Sequence, residues 1–189
     1  MTLVDKRSTQ IIDFLMEVTL QNDYKELNNN VNKSYCFAMG IARVLTDICV
    51  QNLSLPQKES RDFCGKLGTR PAISIKDYIV NRLLRYMKPS IEVLSLVLAL
   101  IDKLMSKTER LLITFENVHR LLSIAIVISI KFTEDVFYTN EYYAKVAGIT
   151  PSEFSLLEFL FFKYVDFDVW ICEDIILTYK KLIDTIITE

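Results

Sequence analysis

The stretch LLSIAIVISIKF, residues 121–132, decides the fold class. Ten residues carrying only two serines among aliphatic side chains run straight into Lys131 and Phe132. A segment this apolar is built to be buried on all sides of a helix. It falls well short of the roughly eighteen apolar residues that a membrane span needs. Lys131 at its end has two readings. Either it snorkels, with its stem on apolar surface and its ammonium in water, or a partner chain covers and uses it.

Outward from this run the periodicity stays helical. Residues 91–105, IEVLSLVLALIDKLM, are again apolar nearly all round, and Ser90 is placed to cap them. Before them, Ile75, Tyr78, Ile79, Leu83 and Met87 form a stripe that Pro89 stops. The spacing predicts a helix over 116–132, a short one over 141–147, and Gly148 as its left-handed C-cap. Thr150-Pro151-Ser152-Glu153 then supplies a threonine cap, a proline at the first helical position and a capping-box glutamate, so a fifth helix begins there. Residues 9–21 and 37–50 read as amphipathic helices, 53–71 as a connector with some packed residues, and 171–187 as a last helix packing Ile175, Ile176, Tyr179 and Leu182. The organisation expected is an N-terminal helical extension and connector over 1–69, a compact multi-helix unit over 70–170, and a C-terminal helix over 171–189.

Composition narrows the function. The chain has 189 residues, 51% hydrophobic and 24% charged, with a net charge of −2, so it carries no basic excess of the kind nucleic-acid binders show. Four scattered glycines form no phosphate-cradling loop. Cys36, Cys49, Cys64 and Cys172 lack metal-ligand spacing, and His119 is the only histidine, so neither a metal nor a cofactor is expected. The cysteines read as reduced thiols, and the N-terminal MTLVDKRSTQ lacks the apolar core of a secretory leader; an intracellular protein, nuclear or cytoplasmic, is expected. His119 has no nucleophile beside it and reads as a helix residue with one satisfied nitrogen, so no enzyme is expected. Tyr138, Tyr142 and Tyr143 read as packing for the loop and the fourth helix, Glu134 and Asp135 as a solvated turn with a minor partner contact as the alternative, and Trp170 as cover for the base of the fifth helix.

Glu158 is the single charge in FSLLEFLFF, residues 154–162, on the other helix that is apolar all round. Two lone charges of opposite sign, on two helices bound for one core, are explained together more economically than apart. The alternative is a glutamate on the exposed edge of the helix.

The segments ISIKDYIVNRLLRY (73–86), ALIDKL (99–104), ENVHRLLSIAIVISIKFTEDVFYTNEYYAKVAGIT (116–150) and SEFSLLEFLFFKYVDFDV (152–169) resemble a cyclin box. NVHRLL, KFTEDVFYTNEYYAKVAGI and LLEFLF are most similar to the phosphate-signalling cyclins of yeast and the U-type cyclins of plants. The resemblance implies an all-α fold, a single five-helix cyclin box with the N-terminal helical extension and the C-terminal helix added. It also implies a regulatory subunit that binds and activates a cyclin-dependent Ser/Thr kinase by positioning its regulatory helix. By that resemblance Lys131 and Glu158 would occupy the places of the pair by which cyclins hold that helix, and Ile128, Phe132, Phe159, Phe162 and Phe167 would supply the surrounding apolar contacts. The partner implied is a cyclin-dependent kinase, with a substrate or inhibitor protein possible, and neither nucleic acid nor membrane. A cyclin-fold helical scaffold without kinase activation is the alternative, and a DNA-binding relative of the fold would need two boxes and a basic surface.

Two departures from the family pattern stand out. PAISI (71–75) lacks the arginine that in many cyclins pairs with an aspartate on the second helix, so Asp102 must find another partner: Arg82, Arg85, a helix terminus or solvent. Tyr78 also stands near the place of the usual tryptophan of the substrate-docking patch.

Overall fold

The computed structural model describes Ile11 and residues 33–55, 61–65, 68–108 and 111–188. The expected helix over 9–21 lies outside these residues apart from Ile11, which is buried. Every regular element among the described residues is helical: α1 (Lys33–Asn52), α2 (Ile75–Tyr78), α3 (Ile91–Lys107), α4 (Val118–Thr133), α5 (Asn140–Ala147), α6 (Pro151–Tyr164) and α7 (Glu173–Thr188). From Tyr78 the chain runs on without a break into a π-wound segment, Ile79–Met87, before Lys88 adopts a left-handed φ of 48° ahead of Pro89. The five-helix box is therefore α2 with its π continuation, then α3 to α6.

Caps set the boundaries. Ser90 Oγ accepts from the Val93 amide at 3.3 Å and opens α3. Thr150 Oγ1 does the same for Glu153 at 3.2 Å, with Pro151 at the first helical position of α6. Gly148, at φ 78°, closes α5 by donating to Ala144 O at 2.9 Å.

α3 and α4 are the centre. Residues 93–102 of α3 and residues 121–130 of α4 are all buried, and the two helices lie against each other. α6 and α5 pack on α4 from one side, while α1 and α7 cover α3 from another. The last helix buries Tyr179, with Ile176 and Leu182 packed against the core as expected, and adds Ile183 and Ile186; Ile175 alone departs, at 45% exposed. The helix also answers the question of Asp102. That carboxylate is buried and accepts from the Tyr179 hydroxyl and, at 3.4 Å, from the Ile11 amide. Arg82 and Arg85 are used elsewhere: Arg82 donates to Val146 O at 3.3 Å and Arg85 lies over the Tyr86 ring.

Candidate functional site: a charged ring at the mouth of the core

α4 is sealed as far as Ile130 and emerges at Lys131, in its last turn, where the helix dipole favours a cation. There Lys131 Nζ donates to Glu158 Oε1 at 2.6 Å and to Asn140 Oδ1 at 2.7 Å. Asn140 Nδ2 closes the ring by donating to Glu158 Oε2 at 2.9 Å. The three side chains come from the end of α4, the start of α5 and the middle of α6, so the ring ties three helices at one point. Both charged side chains are half-buried, 25% exposed for Lys131 and 14% for Glu158. An ammonium has three donors and a carboxylate about four acceptor sites, so the ring leaves capacity on both for groups arriving from outside.

Aromatic side chains border it. Phe132 and Phe159, the sequence neighbours of the two charges, are 49% and 54% exposed. Phe167 is 64% exposed, with its ring stacked on Phe162 at 6.2 Å and edge-on to Phe159 at 6.3 Å. Phe162 is half-buried and rests on the core. Val136, Phe137 and Leu156 are exposed as well. Phe159, Phe162 and Phe167 form one contiguous aromatic patch, and an exposed apolar patch marks an interaction site more often than single exposed residues do.

Ile128 departs from the expectation. It is 1% exposed, one turn inside the point where α4 emerges, and offers no surface to a partner. Asn140 was missed by sequence reasoning, as were Val136, Phe137 and Leu156. An asparagine following a threonine cap reads as part of the helix start, and only the meeting of three helices reveals its bridging role. Leu156 carried a usable signal, since it stands three residues before Phe159 on the same helix face.

Elsewhere the polar groups are structural. His119 Nε2 bonds Ile73 O at 3.0 Å, its ring meets Tyr78 edge-on at 4.8 Å, and its buried Nδ1 has no hydrogen-bond partner among the described residues. Burial, followed by the Glu116 carboxylate, pushes the Cys49 thiol up to about 12, which keeps it protonated and unreactive. Tyr138, Tyr142 and Tyr143 form a ring cluster, with Tyr138 and Tyr142 4.3 Å apart. Trp170 is 64% exposed, and its carbonyl accepts from Lys103 Nζ at 2.9 Å. No group of three or more His, Cys, Asp or Glu among the described residues is placed to hold a metal, and none of the described helices is long and apolar enough to cross a membrane.

Comparison with known proteins converges on one family. Cyclin-U4-3 of Arabidopsis thaliana is 38% identical over 118 residues, 62% of this chain and 52% of that protein. The PHO85 cyclin-like protein psl1 of Schizosaccharomyces pombe is 36% identical over 114 residues, 60% of this chain and 46% of that protein. Cyclin-P4-1 of Oryza sativa is 34% identical over 101 residues, 53% of this chain and 47% of that protein. The chain thus spans about half the length of these curated relatives. The family model for cyclins matches residues 5–169, which takes in the whole five-helix box, and the chain belongs to the cyclin family.

Proposed function

We propose that this cyclin is the regulatory subunit of a cyclin-dependent Ser/Thr kinase and activates it by docking on the kinase's regulatory helix. The observation that carries the reading is the half-buried Lys131–Asn140–Glu158 ring set among exposed aromatic side chains. A purely structural ion pair has no need of a rim of exposed phenylalanines. A docking face does: aromatic anchors supply most of the interface energy, and a charged pair fixes register. In this reading Phe132, Phe159, Phe162 and Phe167 are the anchors, while Lys131 and Glu158 offer their spare donors and acceptors to the backbone of the kinase helix. Ile128 supports the face from inside.

The chain contributes position, not chemistry. Phosphoryl transfer requires the kinase's own lysine–glutamate pair and metal-binding aspartate to be in place. A subunit that binds the active arrangement more tightly than the inactive one shifts the population by that difference in affinity, about 5.5 kcal/mol for a shift from 1:99 to 99:1. The name of one relative associates it with PHO85, which directs the search to kinases of that kind.

Affinity purification of the tagged chain from its source organism, with the recovered material assayed for phosphorylation of a generic protein substrate, tests the proposal. The wild-type chain is expected to recover an active kinase, and Lys131→Ala and Glu158→Ala to recover less than a tenth as much while keeping the helical circular-dichroism signal. Equal recovery by both folded variants would overturn the assignment of this face.

A further inference from the structure

The turn that follows α6 is held in a conformation its residues do not favour. Asp166 and Phe167 sit side by side at φ 55° and 58°, in the left-handed region. Aspartate tolerates that region through its short polar side chain, but phenylalanine has no such compensation. Strain of this kind persists where surrounding contacts over-determine the backbone, and it concentrates at binding sites. Phe167 is also the most exposed phenylalanine of the proposed docking face.

The contacts that over-determine the turn come from α3. Lys103 Nζ donates to Asp168 Oδ2 at 2.7 Å and to Trp170 O at 2.9 Å, and Asp168 Oδ1 accepts from the Trp170 amide at 3.2 Å. One turn along α3, Lys107 Nζ donates to Asp166 Oδ2 at 2.9 Å. Within the turn, the Phe167 amide reaches back to Phe162 O at 2.7 Å and the Asp168 amide to Val165 O at 3.0 Å. The two lysines are not equal. The Lys103 side chain is 17% exposed and holds a backbone carbonyl as well as the Asp168 carboxylate, 57% exposed, whereas that of Lys107 is 43% exposed and meets only a carboxylate that is 72% exposed. Solvent and salt weaken the second contact more than the first, which also has the backbone carbonyl.

We infer that Lys103 is a positioning residue of the docking face: it clamps the left-handed turn so that the Phe167 ring stands out, backed by Phe162 and Phe159. The inference rests on the kinase-docking reading, but its first test does not. In the free chain, NMR-detected amide exchange at Phe167 and Asp168 should speed up roughly tenfold in Lys103→Met, which keeps the aliphatic stem and removes the cation. In Lys107→Met it should change less than about threefold. Unchanged exchange in Lys103→Met overturns the clamp.

The second test measures affinity for the kinase recovered with the wild-type chain. Lys103→Met and Phe167→Ala should each weaken binding roughly tenfold, and the double variant no more than Phe167→Ala alone, because Lys103 acts through that ring. Additive losses would show that Lys103 acts by another route and overturn the inference. Faster exchange in Lys103→Met combined with undiminished binding by Phe167→Ala would leave the clamp standing and sink the docking role of the turn.

Discussion

Burial sets the charge state of His119. Desolvation in the packed interior is the main force holding its pKa below the ordinary imidazole value, and the Arg120 and Arg70 cations add to it against the opposing backbone bonds to Ile73 and Ser74. The unfolded chain therefore takes up the proton first, near pH 6.5, while the native state still resists it. The contribution of the neutral ring is complete above that pH and is lost as pH falls toward the depressed native value. Urea midpoints are expected to drop between pH 7 and pH 5 more steeply for the wild-type chain than for His119→Gln; parallel profiles would contradict this. The role of His119 as a helix residue with one bonded nitrogen was legible from its isolation in the sequence. So was the singularity of Lys131 and Glu158, each the lone charge of an apolar run. The partner of Asp102 was not, because Tyr179 lies 77 residues away on a helix whose packing the sequence does not reveal.

At the scale of elements, the caps were the most readable feature, since a cap is a local hydrogen bond between residues three or four apart. Ser90, Gly148 and Thr150 all stand where their chemistry placed them. Glu153 is the exception within that pattern. Its carboxylate accepts from Arg120 Nε at 2.8 Å instead of completing a capping box, a choice settled by α4 lying alongside. The π winding of Ile79–Met87 was also hidden, because buried residues recurring every fourth position at 75, 79, 83 and 87 suit α and π winding alike. Gly148→Ala should cost about 1–2 kcal/mol, from forcing a side chain into the left-handed region. A Cβ there would stand 2.5 Å from Arg82 Nη1, but that flexible terminus can move aside, so the backbone term dominates. Denaturant titration of the variant reads the loss directly, and a midpoint equal to wild type would show that φ is not constrained as described.

For the molecule as a whole, the all-helical class followed from helical periodicity along the chain and from three runs, 91–105, 121–132 and 154–162, that are apolar nearly all round. The C-terminal helix proved more than an addition: Tyr179 and Ile183 are fully buried and close α3 against α1. Large apolar side chains are exposed elsewhere too, Leu53 and Trp170 among them, but the phenylalanines beside Lys131 and Glu158 flank a half-buried ion pair. The central claim is that a kinase covers this face. Hydrogen exchange of the chain, measured alone and in complex with the recovered kinase, tests it most directly. The account predicts added protection over residues 131–140 and 156–167 and none over the groove lined by Val80, Leu84, Arg85 and Lys88. Protection confined to that groove or to α7, with the Lys131–Glu158 face exchanging as in the free chain, would contradict it.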